Sequence, residues 1–87
     1  MPKKKLYAVE ITFPRHGDNY AIAVHEGFLD CLRYAGVGSI VEDNDDQVIF
    51  RLECPHTMNT EEWAKMNAQR IKTFGFQTRV VESRRST

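Results

Sequence analysis

The segment VGSIVEDNDDQVIFRLEC, residues 37–54, decides the fold of this 87-residue chain. Its two ends are rich in β-branched and aromatic residues, and its middle, residues 43–46, is entirely Asp and Asn. These residue types tolerate left-handed backbone angles and bond their own main chain, so the run favours a tight reversal. The segment therefore predicts a β-hairpin with strands over residues 37–42 and 47–54.

One strand and one helix are predicted ahead of this hairpin. Apolar residues alternate with others from Leu6 to Phe13, which indicates a strand with one buried face, and Pro14 ends it. Helical spacing of apolar residues predicts a helix from Tyr20 to Ala35. Its predicted inward stripe consists of Ala21, Val24, Phe28, Cys31, Leu32 and Ala35.

The ends of this helix carry local signals. Asp18 or Asn19 can cap its first amides, and Gly36 stands where a helix C-terminus is expected. In a second interpretation, Tyr20–Val24 is a strand that pairs with the first strand, and a shorter helix follows Gly27. We prefer the single helix.

A second helix and a fourth strand are predicted after the hairpin. A helix start is indicated at residues 59–62, whose sequence is NTEE, with Asn59 as the expected cap. Apolar residues continue at helical spacing up to Phe74. Residues 76–82 predict the last strand, and residues 83–87 predict a polar tail.

Strand, helix, strand, strand, helix, strand is the element order of the ferredoxin-like, or split βαβ, sandwich. We therefore predict one α+β domain over residues 1–87 with short basic tails. Its four-stranded antiparallel sheet has the expected order 4-1-3-2, and both helices lie on one face, where each buries an apolar stripe. This architecture hosts many unrelated functions, so the fold alone does not name one.

Composition narrows the class of protein. Twelve basic and twelve acidic side chains give a formal net charge of zero, whereas a general nucleic-acid coat is strongly basic. Two cysteines, Cys31 and Cys54, are too few for a disulfide scaffold, and we expect both to be reduced and mostly buried. No apolar run reaches the roughly 20 residues of a membrane helix, and no apolar signal stretch follows the basic start. We expect a cytoplasmic protein, and no motif indicates a cofactor.

The predicted topology sorts charges to opposite ends of the sheet. The first strand begins where the fourth strand ends and where the second helix starts, which gathers cations at one end. This candidate anion or nucleic-acid site consists of Lys3, Lys4, Lys5, Arg84 and Arg85. The acidic reversal at residues 42–46 is expected about 20 Å away, beyond a physiological Debye length of about 8 Å. Its spacing does not match an EF-hand loop, which disfavours calcium binding.

The sheet face away from the helices is a second candidate surface. Glu10 is expected to pair there with Arg51 or Arg79 across the sheet. The candidate partner-binding residues are Glu10, Thr12, Ile49, Arg51, Glu53 and Arg79. RNA-recognition motifs stack bases on aromatic residues of this face, but Tyr7 and Phe50 fall on the predicted core face and the motif's consensus is absent. The face therefore favours protein contact, and self-association through it or through an edge strand is expected.

No catalytic arrangement of residues stands out. The three histidines share no metal-ligand spacing with a cysteine, which disfavours a zinc site. The sequence FPRHGD at residues 13–18 resembles the arginine loop of acylphosphatases only weakly. A pocket like that of dimeric α+β-barrel enzymes would use His25, Tyr34 and Trp63, but Trp63 is better explained as a core anchor.

The leading hypothesis is a small non-enzymatic binding protein, a regulator or inhibitor that docks on another macromolecule. It rests on the opposite charges at the two ends of the sheet, on a sheet face of small, apolar and paired charged groups, and on the lack of a catalytic motif. A narrower form of this hypothesis places the partner in nucleic-acid machinery, and another makes the protein an inhibitor encoded by a phage or mobile element. Both rest on general resemblance in size and character rather than on a physical argument. Direct nucleic-acid binding through the basic ends is one alternative, and a dimeric α+β-barrel enzyme or small-molecule sensor is the other.

Overall fold

The computed structural model describes residues 5–54 and 59–86. The elements are β1 (Lys5–Pro14), α1 (Asn19–Ala35), β2 (Gly38–Asp43), β3 (Gln47–Leu52), α2 (Glu61–Thr73) and β4 (Gln77–Ser86). The strands form one antiparallel sheet in the order β2-β3-β1-β4, which confirms the predicted ferredoxin-like βαββαβ topology. Within the described ranges, no helix has the length and apolar character needed to cross a membrane.

The strand register separates the two faces of the sheet. On β1, the side chains of Tyr7, Val9, Ile11 and Phe13 face the helices, because the side chains of a strand alternate between faces. The buried core consists of Val9, Ile11, Phe13, Val48, Phe50, Leu52, Ala64, Ala68, Ile71 and Phe76. The even-numbered side chains of β1 therefore lie on the face opposite the helices, where the sequence pattern placed them.

The single-helix interpretation of α1 is confirmed, and the alternative strand at Tyr20–Val24 is wrong. Asp18 caps the helix, since its side chain accepts a hydrogen bond from the N–H of Tyr20 at 3.2 Å. Gly36 ends the helix in the left-handed region, with φ at 67°. Both end signals in the sequence thus act as expected.

The helix α2 is capped by Thr60 rather than by Asn59. The Thr60 hydroxyl accepts a hydrogen bond from the N–H of Trp63 at 3.1 Å. Asn59 is fully buried, and its carbonyl accepts a hydrogen bond from the N–H of Tyr7 at 2.8 Å. This bond ties the start of α2 to the start of β1, so the two lie at the same end of the sheet as expected.

The strand β4 runs to Ser86 instead of ending at Glu82, so the predicted polar tail is largely strand. Its extension has a partner, because Lys5 of β1 pairs with Ser86. The backbone of β4 keeps hydrogen-bonding to β1 as far as Lys5, so the strand continues although its last side chains are polar.

The helix α1 packs less deeply on the sheet than predicted. None of its side chains is fully buried; Phe28 and Leu32 lie partly buried against the core, whereas Val24 is 48% exposed. Cys31 is exposed and Cys54 is half-buried, so the prediction of a buried Cys31 is wrong. Phe28, Leu29 and Leu32 of α1 pack against the core. Successive helix residues are separated by about 100°, so Cys31 lies on a different side of the helix from these three.

Candidate functional site

The sheet face opposite the helices carries side chains from all four strands. We call it the open face, and its members in register are Ala8, Glu10, Thr12, Ser39, Glu42, Ile49, Arg51, Gln77, Arg79 and Val81. Five of the six predicted partner-binding residues belong to this set. The sixth, Glu53, lies just past the end of β3, where its carboxylate accepts a hydrogen bond from the hydroxyl of Ser83 at 2.6 Å.

Glu10 is held at the centre of the open face by two arginines. It lies directly opposite Arg51 on β3 and Arg79 on β4. Its Oε2 accepts hydrogen bonds from Arg51 Nη2 at 2.9 Å and Nε at 3.3 Å, and its Oε1 accepts one from Arg79 Nη2 at 2.5 Å. The two pairs expected as alternatives therefore form together, and we call the three residues the Arg–Glu–Arg triad.

Exposure differs sharply within the triad. The Glu10 side chain is 8% exposed and that of Arg51 is 26% exposed, whereas that of Arg79 is 72% exposed. A buried carboxylate thus fixes an arginine that projects into solvent.

The triad keeps Glu10 ionised. Burial by itself raises the pKa of Glu10, but the hydrogen bonds and charges of Arg79 and Arg51 outweigh it and hold the pKa below the ordinary value of 4.5. The folded state therefore binds the Glu10 proton less readily than the unfolded chain does. The stabilisation is complete above the unfolded pKa and is lost as the pH falls through the folded one.

A shallow hollow of about 340 Å³ lies beside the triad on the open face. The residues that line it include Thr12, Gln47, Ile49, Gln77 and Arg79. Arg79 and Gln77 bring N–H donors to the hollow, Thr12 brings a hydroxyl, and Ile49 brings apolar surface. Such donors suit a carboxylate or another small acceptor group.

The start of β1 and the end of β4 meet, as the topology predicted. The backbones of Lys5 and Ser86 pair, and Lys5 Nζ lies 3.9 Å from the carboxylate of Glu82, which offsets its charge. Lys3 and Lys4 lie outside the described residues, as do the side chains of Arg84 and Arg85, whose backbones belong to β4. Of the predicted cation cluster, the structure therefore places only Lys5 and the backbones of Arg84 and Arg85.

The acidic reversal has a basic side chain beside it, which partly offsets its negative charge. Arg15 forms an ion pair with Asp43, and its Nε donates to the carbonyl of Asn44 at 2.7 Å. His16 Nε2 lies 3.8 Å from the carboxylate of Asp46. The pairing of β1 with β3 brings Arg15 to this turn, and no local sequence signal reports that contact.

His25 has surroundings that the sequence did not indicate. Its ring centroid lies 4.9 Å from that of Phe76 and 6.2 Å from that of Phe13, and its Nδ1 is buried without a hydrogen-bond partner. The cleft beside it has a volume of about 230 Å³, and neither Tyr34 nor Trp63 lines it. Ligand pockets usually start near 300 Å³, so this cleft gives no support to a barrel-type enzyme pocket.

Replacing His25 with phenylalanine is expected to raise the free energy of unfolding by about 1 kcal/mol, because it removes an unpartnered buried nitrogen and keeps the aromatic contacts. Urea denaturation near neutral pH measures the change. The exposed His16 gives a control, since His16→Phe should change stability by less than about 0.5 kcal/mol. A less stable His25→Phe protein would show that the imidazole makes a native polar contact.

The described part of the chain has no group of three or more His, Cys, Asp or Glu side chains placed to hold a metal ion. Comparison of the chain with protein-family models, with curated proteins and with solved structures found no match.

Proposed function

We propose that this protein is a non-enzymatic binding protein that docks its open face on an acidic surface of a partner protein, and thereby regulates or inhibits it. The observation that carries this proposal is the exposed guanidinium of Arg79, fixed by the buried carboxylate of Glu10. A side chain that is ordered before binding loses less conformational entropy on binding. Arginine is also one of the residues that dominate interface energies.

An acidic side chain of the partner fits the hollow beside Arg79. A guanidinium has five N–H groups, so Arg79 retains donors beyond the one that Glu10 accepts. Gln77 and Thr12 supply neutral donors in the same hollow, and Ile49 supplies apolar contact. A carboxylate there gains charge-assisted hydrogen bonds, which are stronger than neutral ones.

A protein fits this face better than a nucleic acid does. The aromatic side chains of β1 and β3, which are Tyr7, Phe13 and Phe50, lie on the core side, so they form no base-stacking platform on the open face. The carboxylates of Glu10 and Glu42 offset the two arginines. The described face therefore lacks the excess positive charge that drives phosphate binding.

The cytoplasm is the proposed place of this encounter. Cys31 is exposed and forms no disulfide. An exposed thiol persists most readily in a reducing compartment.

Affinity capture from the cells of origin, with and without nuclease, tests the proposal. Wild-type protein is expected to retain a defined partner protein that nuclease does not release. Arg79→Glu should lose it, because the exposed charge is reversed. Arg70→Glu, which reverses an exposed arginine on α2, should retain it.

Equal retention by the Arg79→Glu and wild-type proteins would contradict docking through the open face. Release of the captured material by nuclease would instead favour nucleic-acid binding through the basic ends. Circular dichroism of each variant must match that of the wild-type protein, so that loss of binding is not loss of fold.

A further inference from the structure

The helix α1 is apolar or uncharged on the side that faces away from the sheet. We call this side the outer face, and it consists of Tyr20, Ala23, Val24, Gly27, Cys31 and Tyr34, all of them exposed. The acidic and basic residues inside the helix, Glu26, Asp30 and Arg33, share one flank, because successive residues are separated by about 100°. A helix that is apolar on two opposite sides is normally covered on both.

The exposed apolar surface continues from α1 towards α2. Tyr20 is 77% exposed, Tyr34 is 94% exposed and Phe74 is 79% exposed. A groove of about 410 Å³ between the two helices is lined by Val24, Phe28 and Phe74, among others. Large apolar side chains gathered on one surface mark an interaction site more often than isolated ones do.

Gly27 lies in the middle of this outer face, and no contact within its own chain requires a glycine there. Glycine is the least favourable helix residue after proline. A Cβ added to Gly27 would meet no atom within 4 Å, and its φ does not lie in the left-handed region. Glycine is suited to a close approach by a backbone from outside the chain.

Four residues of the outer face form two pairs that are symmetric about Gly27, whereas the position opposite Val24 is Asp30. Tyr20 and Tyr34 each lie seven residues from it, and the small residues Ala23 and Cys31 each lie four residues from it. Two antiparallel copies of α1, related by a two-fold axis at Gly27, would place each tyrosine beside the other tyrosine of the second copy. Two-fold interfaces need a self-complementary surface of this kind.

We propose that two copies of this chain form a dimer through the outer faces of α1, crossing at Gly27. The 17-residue helix is about 25 Å long and about 10 Å wide, so α1 alone has a projected area of about 250 Å², and the adjoining surface of α2 beside Phe74 brings the layer to about 500 Å². That area is of the same order as the roughly 800 Å² of accessible surface that each partner buries in a standard interface. The open faces stay on the outside of this dimer, so it does not depend on the proposed docking function.

Light scattering coupled to size-exclusion chromatography tests this proposal on the purified full chain. At about 100 µM, a dimer with a Kd of about 1 µM would show twice the 10.1 kDa mass of the chain. Gly27→Leu should give the monomer mass, since its side chain separates the helices at the axis. It should keep or raise the melting temperature of the dilute protein, because leucine favours helix and meets no clash within its own chain.

Glu26→Leu is the control for Gly27→Leu, because it adds a leucine side chain on the charged flank instead of at the axis. It should leave the dimer intact. Gly27→Cys in a Cys31→Ser background should form a disulfide-linked dimer rapidly on oxidation with copper–phenanthroline, while Glu26→Cys in the same background should not. A wild-type monomer at about 100 µM would overturn the proposal. A dimeric Gly27→Leu protein or equal cross-linking of the two cysteine variants would do so as well.

Discussion

Replacing Gly38 with alanine is expected to lower the free energy of unfolding by about 3 kcal/mol, or to prevent folding. A Cβ at this position would lie 1.9 Å from the carbonyl oxygen of Arg51 and 2.9 Å from Cε1 of Phe50. Neither neighbour can move freely, because Phe50 is fully buried and Arg51 lies in the β3 ladder. The strand β2 would therefore have to move away from β3.

Urea denaturation measures this effect, and the adjacent residue provides a matched control. Ser39 is exposed on the same strand, and Ser39→Ala should change stability by less than about 0.5 kcal/mol. A Gly38→Ala protein as stable as the wild type would show that β2 does not approach β3 so closely. The position of Arg51 on the open face would then need revision.

Replacing Glu10 with glutamine is expected to lower the free energy of unfolding by about 2 kcal/mol near neutral pH. The change removes the charge that faces Arg51, whose side chain is only 26% exposed, and Arg79. Breaking a fully buried ion pair costs about 3–5 kcal/mol, and solvent around the exposed Arg79 reduces that figure. Glu26→Gln on the exposed flank of α1 is the matched control and should be nearly neutral.

The difference in unfolding free energy between the wild-type and Glu10→Gln proteins depends on pH. This dependence tests the direction in which the pKa of Glu10 is shifted. Because the folded pKa of Glu10 is below 4.5, the wild-type advantage over Glu10→Gln should be full at about pH 6. It should shrink as the pH falls below the unfolded pKa and through the folded one, where protonation removes the same charge. A constant difference between about pH 6 and pH 3 would contradict an ionised Glu10 in the triad.

The residues of the Arg–Glu–Arg triad differ in how far they can report on docking without disturbing the fold. Charge reversal at Glu10 or Arg51 disturbs the fold, so loss of binding in such variants is ambiguous. Arg79 is 72% exposed, and Arg51 still pairs with Glu10 when Arg79 is changed, so the structural cost is smaller. It is therefore the residue at which binding is best tested.

Local sequence signals predicted most of the fold because its elements are bounded by strong ones. The Asp- and Asn-rich turn fixed the hairpin, Asp18 and Gly36 bounded α1, and alternation assigned the two faces of β1. Alternation also placed Glu10 opposite arginines, which is why most of the candidate site was predictable.

The remaining features depend on contacts between distant parts of the chain. Arg15 reaches Asp43 only through the pairing of β1 with β3. Cys31 is exposed because the core contacts α1 through Phe28, Leu29 and Leu32, and an apolar helix does not show in its sequence which side is covered. Thr60 replaces Asn59 as the cap because the Asn59 carbonyl bonds Tyr7 and its side chain is buried.

Site-specific photo-cross-linking in the cells of origin tests the docking function most directly. A benzophenone amino acid at Gln77 lies in the hollow beside Arg79, while the same group at Gln69 lies on the exposed surface of α2. We predict a covalent adduct with one partner protein from position 77, lost in the Arg79→Glu background, and none from position 69. Equal adducts from both positions, or an adduct with nucleic acid alone, would contradict docking through the open face.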